Sequence, residues 1–178
     1  AAHRGYEKLL AGIEPLAERA WKNHEKIRIG YLSPDFRRHV MVSFIYGLFV
    51  RFDRAHFEVY AYSLAEEEDG FTEALKEHAT AWRDVAGLSF AEIAEKIRSD
   101  EIDVLVDLAG HSAGGALPVL AYRPAPVQVS GLGYVNTTGL SAVDYFLTDD
   151  IVDPPGRHDA LFTEEPVCLT SQFLYTAK

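Results

Sequence analysis

Short apolar runs of strand length alternate with helix-length segments along most of this 178-residue chain. The strongest run, 102–108, has apolar residues at both alternating sets of positions, which is typical of a central parallel strand. The other predicted strands are 27–32, 57–62, 82–85, 127–132, 145–148 and 167–169. Alternation at this spacing predicts an α/β fold with a doubly wound, mostly parallel sheet.

Helix signals fill the intervals between these strands. Apolar spacing predicts helices at 40–52 and 71–79, and a helix from Ser89 to about residue 98 has Glu92 as its capping-box partner. A further helix is expected after the glycine-rich turn 110–115, broken near Pro118 or ending at Pro124. Before the first strand, residues 6–21 have a helical pattern that Pro15 should kink or break.

The acidic balance of the chain limits its classes of partner. Lys and Arg total 17 against 27 Asp and Glu, a formal net charge of −10, which argues against a nucleic-acid partner. No apolar run reaches the roughly 18 residues of a membrane-spanning helix and no signal peptide is recognised, so we expect no membrane partner and a cytoplasmic location. A single cysteine, Cys168, excludes an internal disulfide. Because the only methionine is Met41, we expect an excised domain of a longer protein.

Three polar loops follow predicted strands, at 33–39, 110–115 and 133–139. In doubly wound sheets, ligands bind beyond the carboxyl ends of the strands, so these loops are the candidate site. His39 either faces a ligand, donating to a phosphate or sugar or moving a proton, or caps the following helix. His111 stands in the glycine-rich turn, whose spacing matches neither the dinucleotide fingerprint nor the P-loop. Two histidines on neighbouring loops favour one shared cleft.

Other polar residues have simpler interpretations. Asp107, Asp144 and Asp149 stand at strand ends, where turn and cap chemistry is favoured over acid–base work or Mg²⁺ binding. Arg37 and Arg38 are interpreted as a solvated face rather than a phosphate site. We therefore predict no metal site and no metal cofactor.

Several motifs together resemble the O-GlcNAc transferase / SPINDLY family over residues 26–175. They are Gly30-Tyr-Leu-Ser-Pro-Asp-Phe-Arg-Arg-His39, Val106-Asp-Leu-Ala-Gly-His111, Arg123-Pro-Ala-Pro-Val-Gln128, Leu132-Gly-Tyr134, Asn136-Thr-Thr-Gly139, Asp144-Tyr145 and Thr148-Asp149. Residues 1–25 are similar to the linker helix that joins a preceding tetratricopeptide-repeat array to the catalytic region of this family.

The resemblance implies a GT-B type glycosyltransferase with two Rossmann-like domains that face a cleft. Residues 26–178 would be the N-terminal Rossmann-like subdomain, whose partners are the missing C-terminal catalytic subdomain and the preceding repeats. The implied reaction is inverting transfer of GlcNAc from UDP-GlcNAc to Ser or Thr hydroxyls of a protein or peptide acceptor, with no metal. The isolated fragment is expected to be inactive.

The same resemblance implies the site residues. His39 would be catalytic, as a base or as a positioning donor. The substrate-binding residues would be His111, Leu132, Gly133, Tyr134, Asn136, Thr137 and Thr138.

Two departures from the family leave alternatives open. Gly131 stands where Trp is usual, which should leave space beside the loop, and Val135 stands where Pro is usual. One alternative is therefore a non-catalytic binding or scaffold domain that retains the fold. A further alternative does not depend on these departures: because the SPINDLY branch uses GDP-fucose, the resemblance also allows an O-fucosyltransferase of that branch.

Overall fold

The computed structural model describes residues 2–17, 23–154 and 161–170, and these contain seven strands. The strands are β1 (Ile27–Ser33), β2 (Phe57–Ser63), β3 (Ala81–Asp84), β4 (Val104–Asp107), β5 (Val127–Gly131), β6 (Tyr145–Asp149) and β7 (Glu165–Leu169). They form one sheet in the order β3-β2-β1-β4-β5-β6-β7, and every neighbouring pair is parallel. The predicted α/β fold with a doubly wound parallel sheet is confirmed.

Helices connect most of these strands. They are α1 (Ala2–Tyr6), a 3₁₀ helix (Glu7–Leu10), α2 (Val40–Val50), α3 (Gly70–His78), α4 (Phe90–Ser99) and α5 (Pro118–Ala121). Ser89 and Glu92 form the predicted capping box of α4, because the Ser89 hydroxyl accepts from the Glu92 amide and the Glu92 carboxylate accepts from the Ser89 amide. Asp69 caps α3 in the same way. None of the helices among the described residues is long and apolar enough to cross a bilayer.

The sheet buries an apolar cluster on each of its faces. Neighbouring residues of β1 alternate between them, with Leu32 in one cluster and Tyr31 in the other. α4 and α5 cover the first face, where the buried side chains include Leu32, Tyr62, Ile93, Ile97, Leu105 and Leu120. α2 and α3 cover the second, where they include Tyr31, Phe36, Ile45, Phe49, Leu75 and Val106. Burial on both faces explains the near-continuous apolar runs of the strands.

The strand order reverses its direction of growth between β1 and β4. β2 and β3 lie on one side of this pair, and β5, β6 and β7 lie on the other. Leu32 and Asp107, near the carboxyl ends of β1 and β4, are register partners. The loops that follow these two strands therefore begin side by side and separate, which is where α/β sheets form ligand clefts.

The helix predicted over residues 6–21 is observed only at its start, and it ends before the break expected at Pro15. α1 and the 3₁₀ helix end by Leu10, and residues 13–17 are not helical. Pro15 has no amide hydrogen to donate to residue 11, and the Leu16 amide donates instead to the Tyr122 carbonyl at 2.7 Å. Residues 18–22, including Trp21, lie outside the described residues.

The Arg123-Pro-Ala-Pro-Val-Gln128 motif braces the start of β5 and β6. The Arg123 guanidinium pairs with the Asp144 carboxylate at 2.7 Å and donates to the Ala142 carbonyl at 2.6 Å. Asp144 also accepts from the Gln128 amide at 2.8 Å. These contacts lie at the amino end of the sheet, so the motif supports the fold and is remote from the loops at the carboxyl end.

Candidate functional site

The three predicted loops meet at the carboxyl edge of the sheet. A Cβ added to Gly133 would lie 1.9 Å from the Leu108 carbonyl oxygen and 3.2 Å from Met41 Cε, so the loop after β5 contacts the loop after β4 and the first turn of α2. A Cβ added to Gly114 would lie 3.3 Å from Pro34 Cβ, so the loop after β4 also contacts the loop after β1. A Cβ added to Gly110 would lie 2.5 Å from Tyr134 Cβ. A side chain at Gly133 or at Gly110 would clash with these neighbours, so both positions require glycine. These close contacts fix the three loops relative to one another.

The segment after β5 makes a tight turn centred on Leu132. The Gly133 amide donates to the Gly131 carbonyl at 2.9 Å, and Leu132 has a positive φ of 69°. This is a three-residue turn of the strained kind, and such backbone strain persists where the surrounding contacts impose it. Leu132 and Gly133, both predicted substrate-binding residues, therefore form a rigid rim at the end of β5.

The expected space beside Gly131 is absent. Gly131 is buried with φ of 146°, and a Cβ there would lie 2.9 Å from both Cβ and the carbonyl oxygen of Leu147. A tryptophan could not occupy this backbone. The family usually has tryptophan here, but in this chain the backbone at residue 131 has a conformation that only glycine adopts readily.

His39 is the N-cap of α2, with its ring at the mouth of the β1 loop. Its Nδ1 accepts from the Met41 amide at 3.3 Å and lies 3.5 Å from Asp35 Oδ1. An Nδ1 that accepts a hydrogen bond is unprotonated, so the neutral ring has its hydrogen on Nε2. No other described residue bonds to this ring, and its side chain is 40% exposed. The geometry presents an N–H donor outward.

An open pocket of about 440 Å³ lies beside His39, between the amino ends of α2 and α3. The Arg38 guanidinium lies 5.9 Å from the Phe71 ring centroid on its wall, and the Arg38 amide donates to Asp69 at 2.6 Å. The residues that line the pocket are Arg38, His39, Val40, Val42, Ser43, Tyr46 and Phe71. Arg38 thus lines the pocket, and its guanidinium lies next to the aromatic ring of Phe71.

His111 lies in a separate aromatic cluster under the N-terminal segment. Its Nε2 donates to the Thr138 carbonyl at 2.7 Å. The rings of Tyr6, His3 and Tyr134 surround it, with centroid distances of 4.7, 4.8 and 5.5 Å. The Gly-rich turn of His111 is thus packed against α1, and the imidazole is partly buried.

Tyr134 links the same cluster to α1. Its hydroxyl is 2.8 Å from His3 Nε2, and the two rings meet edge to face. Burial, together with the nearby imidazole of His111, lowers the pKa of His3, while the Glu164 carboxylate acts in the opposite direction. The neutral form of His3 is therefore the one that suits the packed cluster.

Thr137 and Thr138 turn their hydroxyls inward, onto Glu164. The two residues are 4% and 0% exposed, and both hydroxyls donate to this buried carboxylate. Asn136 is exposed, and its Oδ1 accepts from the Thr137 amide at 2.9 Å. The predicted substrate-binding threonines thus hold the loop from inside, while Asn136 faces solvent.

Two of the three strand-end aspartates, Asp107 and Asp149, have the turn and cap roles that the sequence favoured, whereas Asp144 pairs with Arg123. Buried Asp107 accepts from the amides of Ala109 and Gly110 and from the Ser130 hydroxyl. Burial raises the pKa of Asp107, and these hydrogen bonds oppose the rise. Asp149 accepts from the amides of Ile151 and Val152. In residues 2–17, 23–154 and 161–170, no group of three His, Cys, Asp or Glu side chains could hold a metal ion.

The predicted site residues therefore fall into two groups. His39 lies beside its pocket, whereas His111, Tyr134, Thr137 and Thr138 share one cluster. Among the described residues, no hydrogen bond or ring contact joins this cluster to His39. Sequence reasoning missed His3, Tyr6 and Glu164, which complete that cluster, and Phe71, which completes the pocket. Only tertiary structure brings these residues to the loops, and no local motif marks them.

Comparison with known proteins agrees with this architecture. The family model of glycosyl transferase family 41 matches residues 14–175. A solved structure of a mutant O-GlcNAc transferase from Thermobaculum terrenum is 43% identical, with a TM-score of 0.79, over 83% of this chain and 28% of that chain.

Curated relatives match over most of this chain. The Arabidopsis thaliana protein named "Probable UDP-N-acetylglucosamine--peptide N-acetylglucosaminyltransferase SPINDLY" is 38% identical over 97% of this chain and 20% of its own length. The Caenorhabditis elegans UDP-N-acetylglucosamine--peptide N-acetylglucosaminyltransferase is 33% identical over 81% of this chain and 13% of its own length. This chain thus spans a fifth or less of these relatives. The resemblance drawn from the loops is confirmed, and the chain belongs to glycosyl transferase family 41.

Proposed function

We propose that this chain is the N-terminal catalytic subdomain of a nucleotide-sugar-dependent protein O-glycosyltransferase. The observation that carries the proposal is His39, which caps α2 with Nδ1 and directs Nε2–H outward at the switch point of the sheet. Ligands of doubly wound folds bind at this place. The contact of the β1, β4 and β5 loops gives the site one rigid wall.

The donor proposed is UDP-GlcNAc, and the acceptor is a Ser or Thr hydroxyl of a protein. Support comes from the names of the relatives, which are peptide N-acetylglucosaminyltransferases. The described loops contain no complete nucleotide site, and the relatives are much longer than this chain. The partner subdomain would supply the remaining nucleotide contacts, so we expect the isolated chain to be inactive.

His39 serves best as a positioning donor. To act as a base at Nε2, the neutral ring would need its proton on Nδ1, which would break the cap with the Met41 amide. The Nε2–H tautomer keeps the cap and can donate to an oxygen of the sugar or diphosphate, where negative charge grows as the leaving group departs.

A scaffold domain without catalysis is the second candidate. Val135 favours it, since this residue is 59% exposed in the loop where the family usually has proline. Gly131 no longer favours it, because its backbone conformation accounts for the glycine.

The test uses the complete source protein with either UDP-GlcNAc or GDP-fucose and a peptide that contains Ser and Thr. We expect the complete protein to transfer GlcNAc and the isolated 178-residue chain to transfer no sugar. Transfer of fucose alone would show that the donor is GDP-fucose. If the complete protein neither transfers a sugar nor binds a donor, the scaffold domain is favoured.

A further inference from the structure

Glu164 immediately precedes β7 and is 4% exposed. Its Oε1 accepts from the amide of Thr138, at 2.7 Å, and from the Thr138 hydroxyl. Its Oε2 accepts from the Thr137 hydroxyl at 2.6 Å and from the amide and hydroxyl of Thr163 at 3.1 and 3.2 Å. One carboxylate therefore joins the start of β7 to the loop that follows β5.

No Lys or Arg in the described part of the chain forms an ion pair with this carboxylate. Its hydrogen-bond donors are the neutral amides and hydroxyls of three threonines. A buried carboxylate is tolerated when hydrogen bonds replace its lost hydration, so these donors must stay in place around it. The loop conformation and the carboxylate thus stabilise each other.

The effect of Glu164 extends beyond the residues that it touches. The Thr137 and Thr138 hydroxyl oxygens, oriented by Glu164, accept from the amides of Gly139 and Leu140 at 3.1 and 3.2 Å. The carbonyl of Thr138 then accepts from His111 Nε2 at 2.7 Å. Glu164 is in this way connected to the imidazole of His111 through a single residue.

We propose that Glu164 is a positioning residue that holds the Thr137–Thr138 loop and, through the Thr138 carbonyl, the His111 imidazole. Its carboxylate is buried, and both oxygens are engaged by threonine donors. The proposal rests on the proposed function, in which the loops after β1, β4 and β5 form one wall of the cleft; His111 belongs to the loop after β4, and Thr137 and Thr138 belong to the segment after β5. Thr137 and Thr138 then act through their backbone positions, because their hydroxyls are engaged with Glu164.

The test compares Glu164→Gln with Glu165→Gln in the complete source protein. Glu165 is the exposed neighbour, so its variant is a matched control for the same chemical change. Glutamine keeps the shape of Glu164 but replaces one acceptor oxygen with an amide donor that would face threonine N–H groups. Thr138→Val is the second variant, since it removes one hydroxyl donor and leaves the carboxylate in place.

Two readouts are measured, hydrogen exchange by mass spectrometry and the KM and kcat for the sugar donor. We expect Glu164→Gln to raise exchange in segment 136–141 and also in segment 108–113, which Glu164 does not touch. We expect the donor KM to rise about tenfold with a smaller change in kcat, which corresponds to the loss of one charge-assisted hydrogen bond. Thr138→Val should change both readouts in the same direction by less, and Glu165→Gln should leave both at the wild-type value.

Faster exchange confined to 136–141 and 161–166, with the donor KM unchanged, would overturn the proposal and leave Glu164 a purely structural residue. Should Glu164→Gln fail to fold, wild-type behaviour of Thr138→Val in both readouts would overturn it as well. If the wild-type protein transfers no sugar, the proposed function fails, and exchange in segment 108–113 still decides the positioning role.

Discussion

The ring of Tyr6 packs edge to face against the imidazole of His111, with 4.7 Å between the ring centroids. Tyr6 ends α1, and His111 lies in the turn after β4, so this contact joins the N-terminal segment to a loop of the proposed cleft. His3 and Glu7 extend the same contact onto Tyr134 and Ser141. The N-terminal segment is thus part of the packing that shapes the site.

Replacement of Tyr6 by alanine tests this packing. Loss of a half-buried aromatic pair should lower the free energy of unfolding by about 1–3 kcal/mol and speed hydrogen exchange in segment 108–113. Leu9→Ala is the control, because Leu9 is 78% exposed and its truncation should change stability by less than about 0.5 kcal/mol. Equal effects of the two variants in a denaturant titration would contradict the packing role.

The lowered pKa of His3 predicts a pH dependence with a definite sign. Burial and the nearby His111 lower the pKa of His3 in the folded chain, with Glu164 opposing, so folding favours the neutral ring. The stabilising contribution is full above the ordinary value of 6.5 and falls as pH drops below it toward the lowered folded pKa. Between pH 7.5 and pH 5.5, the Tm of the wild type should therefore fall by more than the Tm of His3→Gln, as measured by thermal unfolding.

The control for that titration is His56→Gln. His56 has a side chain that is 74% exposed and lies outside the aromatic cluster. Because the His56 ring helps to lower the pKa of Asp53, its removal should leave a loss of Tm at low pH at least as large as in the wild type. An unchanged pH dependence in His3→Gln would rule out His3 as its source.

Gly131 and Gly47 should respond in opposite directions to alanine. Gly131→Ala forces a side chain into a φ of 146° and within 2.9 Å of Leu147, so stability should fall by about 1–3 kcal/mol. Gly47 lies in the middle of α2 with open space around it, so Gly47→Ala should raise stability by about 0.5–1 kcal/mol. Denaturant midpoints of both variants measure this, and a neutral Gly131→Ala would show that the backbone there relaxes at little cost.

The fold could be predicted because its signals are local. Apolar runs marked the strands, and the capping box of Ser89 and Glu92 marked the start of α4. The helical pattern over residues 6–21 carried the expected break at Pro15, but apolar spacing could not show that the helix ends earlier, at Leu10, or that the Leu16 amide finds its partner at Tyr122.

The site could be predicted only in part. Sequence order placed His39 and His111 at strand ends, and the adjacency of β1 and β4 followed from the fold class. Glu164 could not be found in this way, because it meets Thr138 only when β7 joins the edge of the sheet. Its role depends on contacts across 26 residues of chain, which no spacing rule encodes.

The most direct measurement of the central claim is sugar transfer by the complete protein with His39→Asn and His39→Ala. Asparagine is a good N-cap, so His39→Asn should keep the stability of α2, whereas His39→Ala should lose about 1 kcal/mol with the cap to Met41. Both variants should lose at least about a hundredfold in the rate of transfer, since neither presents the imidazole Nε2–H. A folded His39→Asn variant that transfers sugar at the wild-type rate would contradict the account.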